Sequence, residues 1–169
     1  KRQGLYFINP LGEDTTKPTQ IWTQGETQAS SCWFPTIDAP NQKTSQEMYI
    51  TVDSIYTVLS NGELVYKREN SDGTNTFYWK QDKPHAPYLF MMAIGEFTKI
   101  EDSWKDLVVN YYVEKEYAVY AQGVFGNTPE MLTFFSEKLG YEYPWDKYSQ
   151  VVVRDYVSGA MENLSLIHI

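Results

Sequence analysis

The last part of the sequence places a carboxylate where the chain leaves an apolar run. That run is residues 151–153, and a short loop joins it to the motif G-A-M-E-N, which is Gly159, Ala160, Met161, Glu162 and Asn163. Gly159 and Ala160 have little or no side chain, so another backbone can approach them closely. Glu162 then offers its carboxylate at an exposed edge beside a cleft. The alternative is a tight loop that carries a solvated glutamate.

Few other side chains of the sequence are spaced for chemistry. The two histidines, His85 and His168, form no zinc-binding pair, and the sequence contains no H-E-x-x-H. His85 lies in a proline-flanked turn, where we expect an exposed structural histidine. Cys32 has no visible His partner and is more typical of a small buried residue than of a nucleophile. Two distant acids remain, Glu26 and Glu162, and carboxylates suit a compact cation with several donors.

The motif G-A-M-E-N and an upstream segment together resemble the aminopeptidase N-like zinc metallopeptidases, the gluzincin aminopeptidases. The upstream segment is Q-G-E at residues 24–26, followed at the family's spacing by F-P-T-I-D-A-P at residues 34–40. The helix and turn predicted over residues 127–148 match as well. The likeness is to a bacterial-type fragment that ends at G-A-M-E-N.

This resemblance implies an enzyme, a hydrolase that removes single residues from the N-termini of peptides. It implies zinc as the cofactor of the intact enzyme and peptides with a free N-terminus as its partners. The substrate-binding residues that it implies are Gln24, Glu26, Ser158, Gly159, Ala160, Met161, Glu162 and Asn163. Because the family's zinc ligands lie beyond G-A-M-E-N, we expect residues 1–169 alone to contain no catalytic residue, to bind no zinc and to be inactive.

A second interpretation belongs to a different class of protein. The chain could be a non-catalytic β-sandwich binding module or a non-peptidase homologue of the family. A homologue without exopeptidase activity would be expected to lose the amine-binding glutamate, and this chain retains Glu162. An H-E-x-x-H motif downstream of Asn163 would favour the peptidase.

Short strands with turn signals dominate the first two thirds of the sequence. Apolar alternation and apolar runs predict strands at residues 4–8, 20–23, 48–52, 56–59, 64–67, 76–80, 88–94 and 107–113. Asn61-Gly62 and Asp72-Gly73 are predicted as hairpin turns. The fold class is therefore mainly β, with an antiparallel β-sandwich over residues 1–117, which the resemblance describes as a saddle-shaped N-terminal domain.

The hydrophobic period changes after residue 117. Asn127 and Pro129 predict a helix start, Gly140 predicts its end, and a strand is predicted at residues 149–153. The apolar residues expected on one face of this helix are Met131, Leu132, Phe135 and Leu139. Residues 118–163 are predicted to begin an α/β domain, thermolysin-like by the resemblance and truncated. Residues 164–169 fit poorly after G-A-M-E-N, and we expect them to be a non-native tail.

Charge and composition exclude several kinds of partner. The chain has 14 Lys and Arg against 22 Asp and Glu, a net charge of -8, which argues against nucleic acid. Its longest apolar stretch, residues 88–94, is too short to span a membrane. With one cysteine and no signal peptide at residue 1, the localisation stays open between cytoplasmic and exported. The sequence does not indicate an oligomeric state.

Overall fold

The computed structural model describes residues 3–164 and divides them into two compact units. The first unit contains residues 3–96 and 153–163, and the second contains residues 97–152 and Leu164. The domain boundaries expected after residues 117 and 163 stay predictions. Of the expected non-native tail, residues 165–169 lie outside the described residues.

The first unit is built from two antiparallel sheets. Its strands are β1 (Gly4–Ile8), β2 (Gln20–Gln24), β3 (Thr44–Asp53), β4 (Thr57–Ser60), β5 (Glu63–Glu69), β6 (Thr74–His85) and β7 (Met92–Gly95). One sheet has the order β1-β2-β7-β4 and the other the order β3-β6-β5. All neighbouring strands in both sheets run antiparallel. The predicted mainly-β, antiparallel fold class is confirmed.

Side chains of alternate residues hold the two sheets together. Period-2 alternation turns Ile50 of β3 and Phe77 and Trp79 of β6 away from solvent, and all three are buried. A polar link joins the sheets as well, since Gln46 of β3 donates to Ser60 Oγ of β4 at 3.0 Å. Burial of the apolar face of each sheet against the other is the usual driving force for a sandwich.

One of the two predicted hairpins is confirmed and the other is wrong. Asp72-Gly73 joins β5 to β6, which pair antiparallel from Glu69 and Asn75 onward. Asn61-Gly62 joins β4 to β5, but these strands lie in different sheets and do not pair. Asn61-Gly62 is therefore the connection from one sheet to the other.

Three further expectations for the first unit are corrected. Cys32, expected to be a small buried residue, is exposed. The apolar run at residues 88–94 is not one strand: a 3-10 turn, Pro87–Leu89, precedes the short strand β7. His85 is buried, not exposed, with 1% of its surface accessible. Its ring nitrogens lie 3.2 Å from Gln46 Oε1 and 3.0 Å from the Lys83 carbonyl, so hydrogen bonds compensate for its burial.

The second unit combines a three-stranded sheet with two helices. Its elements are β8 (Phe97–Trp104), β9 (Leu107–Glu114), α1 (Ala118–Phe125), α2 (Thr128–Leu139) and β10 (Lys147–Val151). The strand order is β10-β9-β8, and β10 runs parallel to β9 while β8 runs antiparallel to it. Of these elements, β8 and α1 were not among the predictions from the sequence.

The predicted helix is confirmed as the longest helix among residues 3–164, but its apolar face is only partly buried. Leu132 packs into a core with Trp104, Val109 and Tyr111. Met131 and Leu139 are 55% and 52% exposed, so of the four apolar residues expected on one face only Leu132 is fully buried. Gly140 ends α2 in the left-handed conformation, as predicted, whereas the Asn127 side chain makes no capping hydrogen bond.

No helix within residues 3–164 combines the length and the apolar content that a membrane crossing requires.

Candidate functional site

The first predicted site segment, Gln24-Gly25-Glu26, begins in the regular part of the four-stranded sheet. Gln24 is the last residue of β2 and pairs with Gly4 of β1. Thr23, one residue earlier, accepts a 3.0 Å hydrogen bond from the backbone N–H of Met92 through its Oγ1. The end of β2 is thus fixed to its neighbours on both sides, and Glu26 leaves the sheet from a fixed position.

Close backbone packing continues past the end of β2. A Cβ on Gly25 would lie 2.4 Å from the Tyr88 carbonyl oxygen and 2.6 Å from Ser30 Oγ, so a side chain has no room there. Ser30 is fully buried and donates to the Pro87 carbonyl at 2.8 Å. The segment after β2 is therefore packed directly on the 3-10 turn Pro87–Leu89, and Glu26 itself is exposed.

The second predicted site segment, Ser158 to Asn163, also belongs to the first unit. It forms no helix or strand. Ser158, Gly159, Ala160 and Glu162 are exposed, and Met161 and Asn163 are half-buried. A Cβ on Gly159 would meet no atom within 4 Å, so the space beside this backbone is open.

Two tyrosines have both acids as electrostatic neighbours. Burial raises the pKa of Tyr88, and the carboxylates of Glu26 and Glu162 raise it further. Burial raises the pKa of Tyr156 to about 12, again with contributions from Glu162 and Glu26. A carboxylate disfavours the ionisation of a nearby tyrosine, because like charges repel. At a protein surface salt screens this repulsion, so it acts only over a short range. The two acids, 136 positions apart, therefore both act electrostatically on Tyr88 and on Tyr156.

An unpaired acceptor lies at the end of β2. Gln24 is 8% exposed, and its Oε1 atom is buried without a hydrogen-bond partner among residues 3–164. Buried polar atoms in proteins are rarely left unpaired, because desolvation without a partner costs about 1–3 kcal/mol. An unpaired acceptor is suited to a ligand that donates hydrogen bonds.

The sequence pointed to the glutamine and the two glutamates of this site but not to its tyrosines. Gln24, Glu26 and Glu162 were selected by their motifs, whereas the tyrosines were interpreted mainly as core and sheet-face residues. Tyr156 stands six positions before Glu162, and Tyr88 lies in an apolar run. Their spacing carries no signal, since Tyr88 reaches the site only through its packing on Gly25.

The described residues offer no metal centre. No three His, Cys, Asp or Glu side chains within residues 3–164 come together in a way that could hold a metal ion. His85 lies within the sandwich, where Gln46 and the Lys83 carbonyl take up its ring nitrogens. The residues present therefore do not fit a zinc site, and none of them is assigned as a ligand.

Comparisons with known proteins place two family domains along the chain. The Peptidase M1 N-terminal domain matches residues 1–89, and the Peptidase family M1 domain matches residues 124–169. These matches follow the order of the sandwich and of the α2–β10 region. They cover both segments that carry the candidate site residues.

Individual relatives agree with these domain matches. Glutamyl aminopeptidase of Rattus norvegicus is 31% identical over 97% of this chain, which corresponds to 17% of that protein. Aminopeptidase 2, mitochondrial, of Saccharomyces cerevisiae is 29% identical over 86% of the chain and 15% of that protein. Aminopeptidase N of Streptomyces lividans is 22% identical over 99% of the chain and 19% of that protein. The chain thus spans less than a fifth of the length of these relatives, and it belongs to peptidase family M1.

Proposed function

We propose that the protein containing this chain is a zinc-dependent aminopeptidase, and that Gln24, Glu26 and Glu162 bind the α-amine of its peptide substrate. The observation that supports the proposal is that both carboxylates raise the pKa of the same two side chains, Tyr88 and Tyr156. The proposal includes zinc on the basis of family membership alone. No reaction step is assigned to a metal, because no three His, Cys, Asp or Glu side chains among residues 3–164 come together in a way that could hold one.

The proposed ligand matches the chemistry of the three side chains. A protonated α-amine is a compact cation with three N–H donors. Two carboxylates supply the opposite charge, and charge-assisted hydrogen bonds are stronger than neutral ones. The unpaired Gln24 Oε1 supplies a third acceptor that is already desolvated. Each donor of the ammonium group would then have its own acceptor.

Such an anchor explains why an enzyme would cleave next to the N-terminus. Binding the terminal amine fixes the distance between the end of the peptide and the first peptide bond. An acetylated N-terminus has lost the charge and two of the three donors, so it would leave the carboxylates uncompensated. The exposed backbone at Ser158, Gly159 and Ala160 gives the following substrate residues an open surface to lie on.

The experiment is to compare free and N-acetylated peptides with the intact enzyme and its Glu162→Gln variant. We expect the variant to lower kcat/KM for the free peptide by about 2–3 kcal/mol of transition-state binding, the scale of a charged hydrogen bond. Turnover of the acetylated peptide, which is already poor, should change little. The preference for a free N-terminus should therefore fall about a hundredfold.

Glu63→Gln is the matched control. Glu63 is an exposed carboxylate on the edge strand β5, which carries none of the proposed binding residues. Its substitution should leave the free-to-acetylated ratio unchanged. An unaltered ratio in Glu162→Gln would contradict the amine-binding role, and a wild-type protein without aminopeptidase activity would favour the non-catalytic binding module.

A further inference from the structure

The backbone of Arg154 is held at both of its polar groups by side chains of β2. Its N–H donates to Gln20 Oε1 at 2.8 Å, and its carbonyl accepts from Trp22 Nε1 at 3.1 Å. Gln20 and Trp22 are 1% and 2% exposed, so both hydrogen bonds originate from the interior of the unit. A single loop residue is therefore fixed in two directions by a strand more than 130 positions earlier.

The same strand face continues to the candidate site. Side chains two residues apart on a strand point to the same side, so Gln20, Trp22 and Gln24 share one face of β2. The first two hold Arg154, and the third presents its unpaired Oε1. The loop that leads to Glu162 is thus attached to the face that carries Gln24, another proposed amine ligand.

Aromatic packing extends this attachment toward Glu162. The ring of Tyr156 lies 5.0 Å from that of Trp22 at an interplanar angle of 52°, a tilted arrangement. Trp22 is also stacked on Tyr6 of β1, with centroids 4.1 Å apart and an angle of 13°. Trp22 is therefore held by its own sheet and in turn holds the loop at Arg154 and Tyr156.

The loop needs such support because it turns sharply between these two contacts. Asp155 has φ 53°, in the left-handed region that costs most residues energy and that Asp tolerates better than most. Its carboxylate pairs with Lys17 at 2.5 Å, but this pair is half-exposed and contributes little. The buried contacts of Gln20 and Trp22 are the stronger restraint on the turn.

We propose that Gln20 and Trp22 are positioning residues that fix the loop before G-A-M-E-N, and so hold the Glu162 carboxylate in register with Gln24 and Glu26. This inference rests on the amine-binding function proposed above. Neither side chain contacts the substrate in this scheme. Each acts through the Arg154 backbone, and Trp22 acts also through Tyr156. The cost of losing either residue should therefore depend on whether Glu162 is present.

The test uses Trp22→Phe in the intact enzyme, which keeps an aromatic ring and removes the Nε1 donor. Trp104→Phe is the matched control, because Trp104 is similarly buried and its Nε1 donates to Thr133 Oγ1 at 2.8 Å in the second unit. We expect Trp22→Phe to lower the free-to-acetylated preference about tenfold, mainly through KM for the free peptide. Trp104→Phe should lower thermal stability by a similar amount and leave the preference unchanged.

A double variant separates positioning from general damage. If Trp22 acts through Glu162, then Trp22→Phe should reduce the preference less than twofold in a Glu162→Gln background. Gln20→Leu, which removes the acceptor for Arg154 N–H at similar volume, provides an independent version of the test should Trp22→Phe fold poorly. It should give the same direction of change and the same dependence on Glu162.

The outcomes distinguish this inference from the function on which it rests. If Glu162→Gln reduces the preference but Trp22→Phe and Gln20→Leu behave like Trp104→Phe, the positioning role is wrong and the amine site stands. Equal effects of Trp22→Phe with and without Glu162 would also overturn it. If Glu162→Gln itself leaves the preference intact, the proposed amine site is wrong.

Discussion

Asn61-Gly62 and Asp72-Gly73 are both turns in which an Asx residue precedes a glycine with positive φ, 74° and 85°. Their surroundings differ. Asn61 is 4% exposed, and its side chain donates to the Leu89 carbonyl at 3.0 Å and accepts from the Met91 N–H at 2.8 Å. Asp72 is exposed, and its Oδ1 accepts from Thr74, at the N–H and at the hydroxyl.

The difference shows how one local signal serves two purposes. Asp72-Gly73 closes a hairpin, and its contacts stay within the turn. Asn61-Gly62 moves the chain between sheets and fixes the backbone on either side of Phe90, directly after the 3-10 turn that carries Tyr88. Gly25 packs on Tyr88, so the Asn61 turn also supports the first predicted site segment, Gln24-Gly25-Glu26, from the side of Tyr88.

The largest expected difference between the turns comes from their glycines. A Cβ on Gly62 would lie 1.9 Å from the Lys80 carbonyl oxygen and 2.7 Å from Gln81 Cα, both backbone atoms of β6, whereas a Cβ on Gly73 would meet nothing within 4 Å. Both substitutions to Ala carry left-handed strain of about 1 kcal/mol, and Gly62→Ala adds an overpacking cost of about 3 kcal/mol. We expect losses of unfolding free energy of about 4 and about 1 kcal/mol.

Urea unfolding, with hydrogen exchange of the β6 amides as a local probe, measures this difference. Gly73→Ala is the internal control, since it has the same backbone requirement without the packing. Equal losses in the two variants would show that the Gly62 backbone can move away from β6, and the distinction between the turns would then lie in the Asx residues alone.

Sequence patterns predicted the elements whose contacts are local. The hairpin at Asp72-Gly73, strands β1 and β9, and the extent of α2 follow from alternation, turn residues and helix signals that act within a few positions. The motifs Q-G-E and G-A-M-E-N were also sufficient to select the candidate ligands. In each case the deciding residues are near neighbours in the chain.

The features that the sequence did not predict depend on contacts between residues that are far apart in the chain. Asn61 bonds to residues 28 and 30 positions later, and nothing in the dipeptide distinguishes it from a hairpin turn. Trp22 and Gln20 hold Arg154 at separations of 132 and 134 positions. The apolar run at residues 88–94 was predicted as one strand because its hydrophobicity reflects burial, while Pro87 begins a 3-10 turn. Tertiary packing decided each of these features.

The second difference between the turns lies in their side chains. Asn61→Ala would leave the Leu89 carbonyl and the Met91 N–H without their partner in a buried position, and we expect a loss of about 3 kcal/mol. Asp72→Ala removes hydrogen bonds at an exposed site, and a much smaller loss is expected. The same urea titrations measure both.

Asn61→Ala should also weaken the proposed amine site, because the segment after Tyr88 loses its two fixed points. We expect KM for a free peptide to rise in this variant and not in Asp72→Ala. A variant that loses stability but keeps its KM would show that Tyr88 is held by its packing on Gly25 alone.

The smallest difference concerns pH. Hydrogen bonds from the Thr74 hydroxyl and then from the Thr74 N–H lower the pKa of Asp72 below its ordinary value of 3.8. A group whose pKa is lower in the folded state stabilises the fold above its unfolded pKa, and this contribution is lost as the pH falls through the folded pKa. Asp72→Asn should thus be less stable than the wild type above about pH 4 and should converge with it below that pH. Asn61 does not titrate, so the deficit of Asn61→Ala should be the same at pH 3 and pH 7.

Unfolding free energies of the wild type, Asp72→Asn and Asn61→Ala between pH 3 and pH 7 test this contrast. A deficit of Asp72→Asn that is as large at pH 3 as at pH 7 would mean that the carboxylate contributes through its shape and not through its charge.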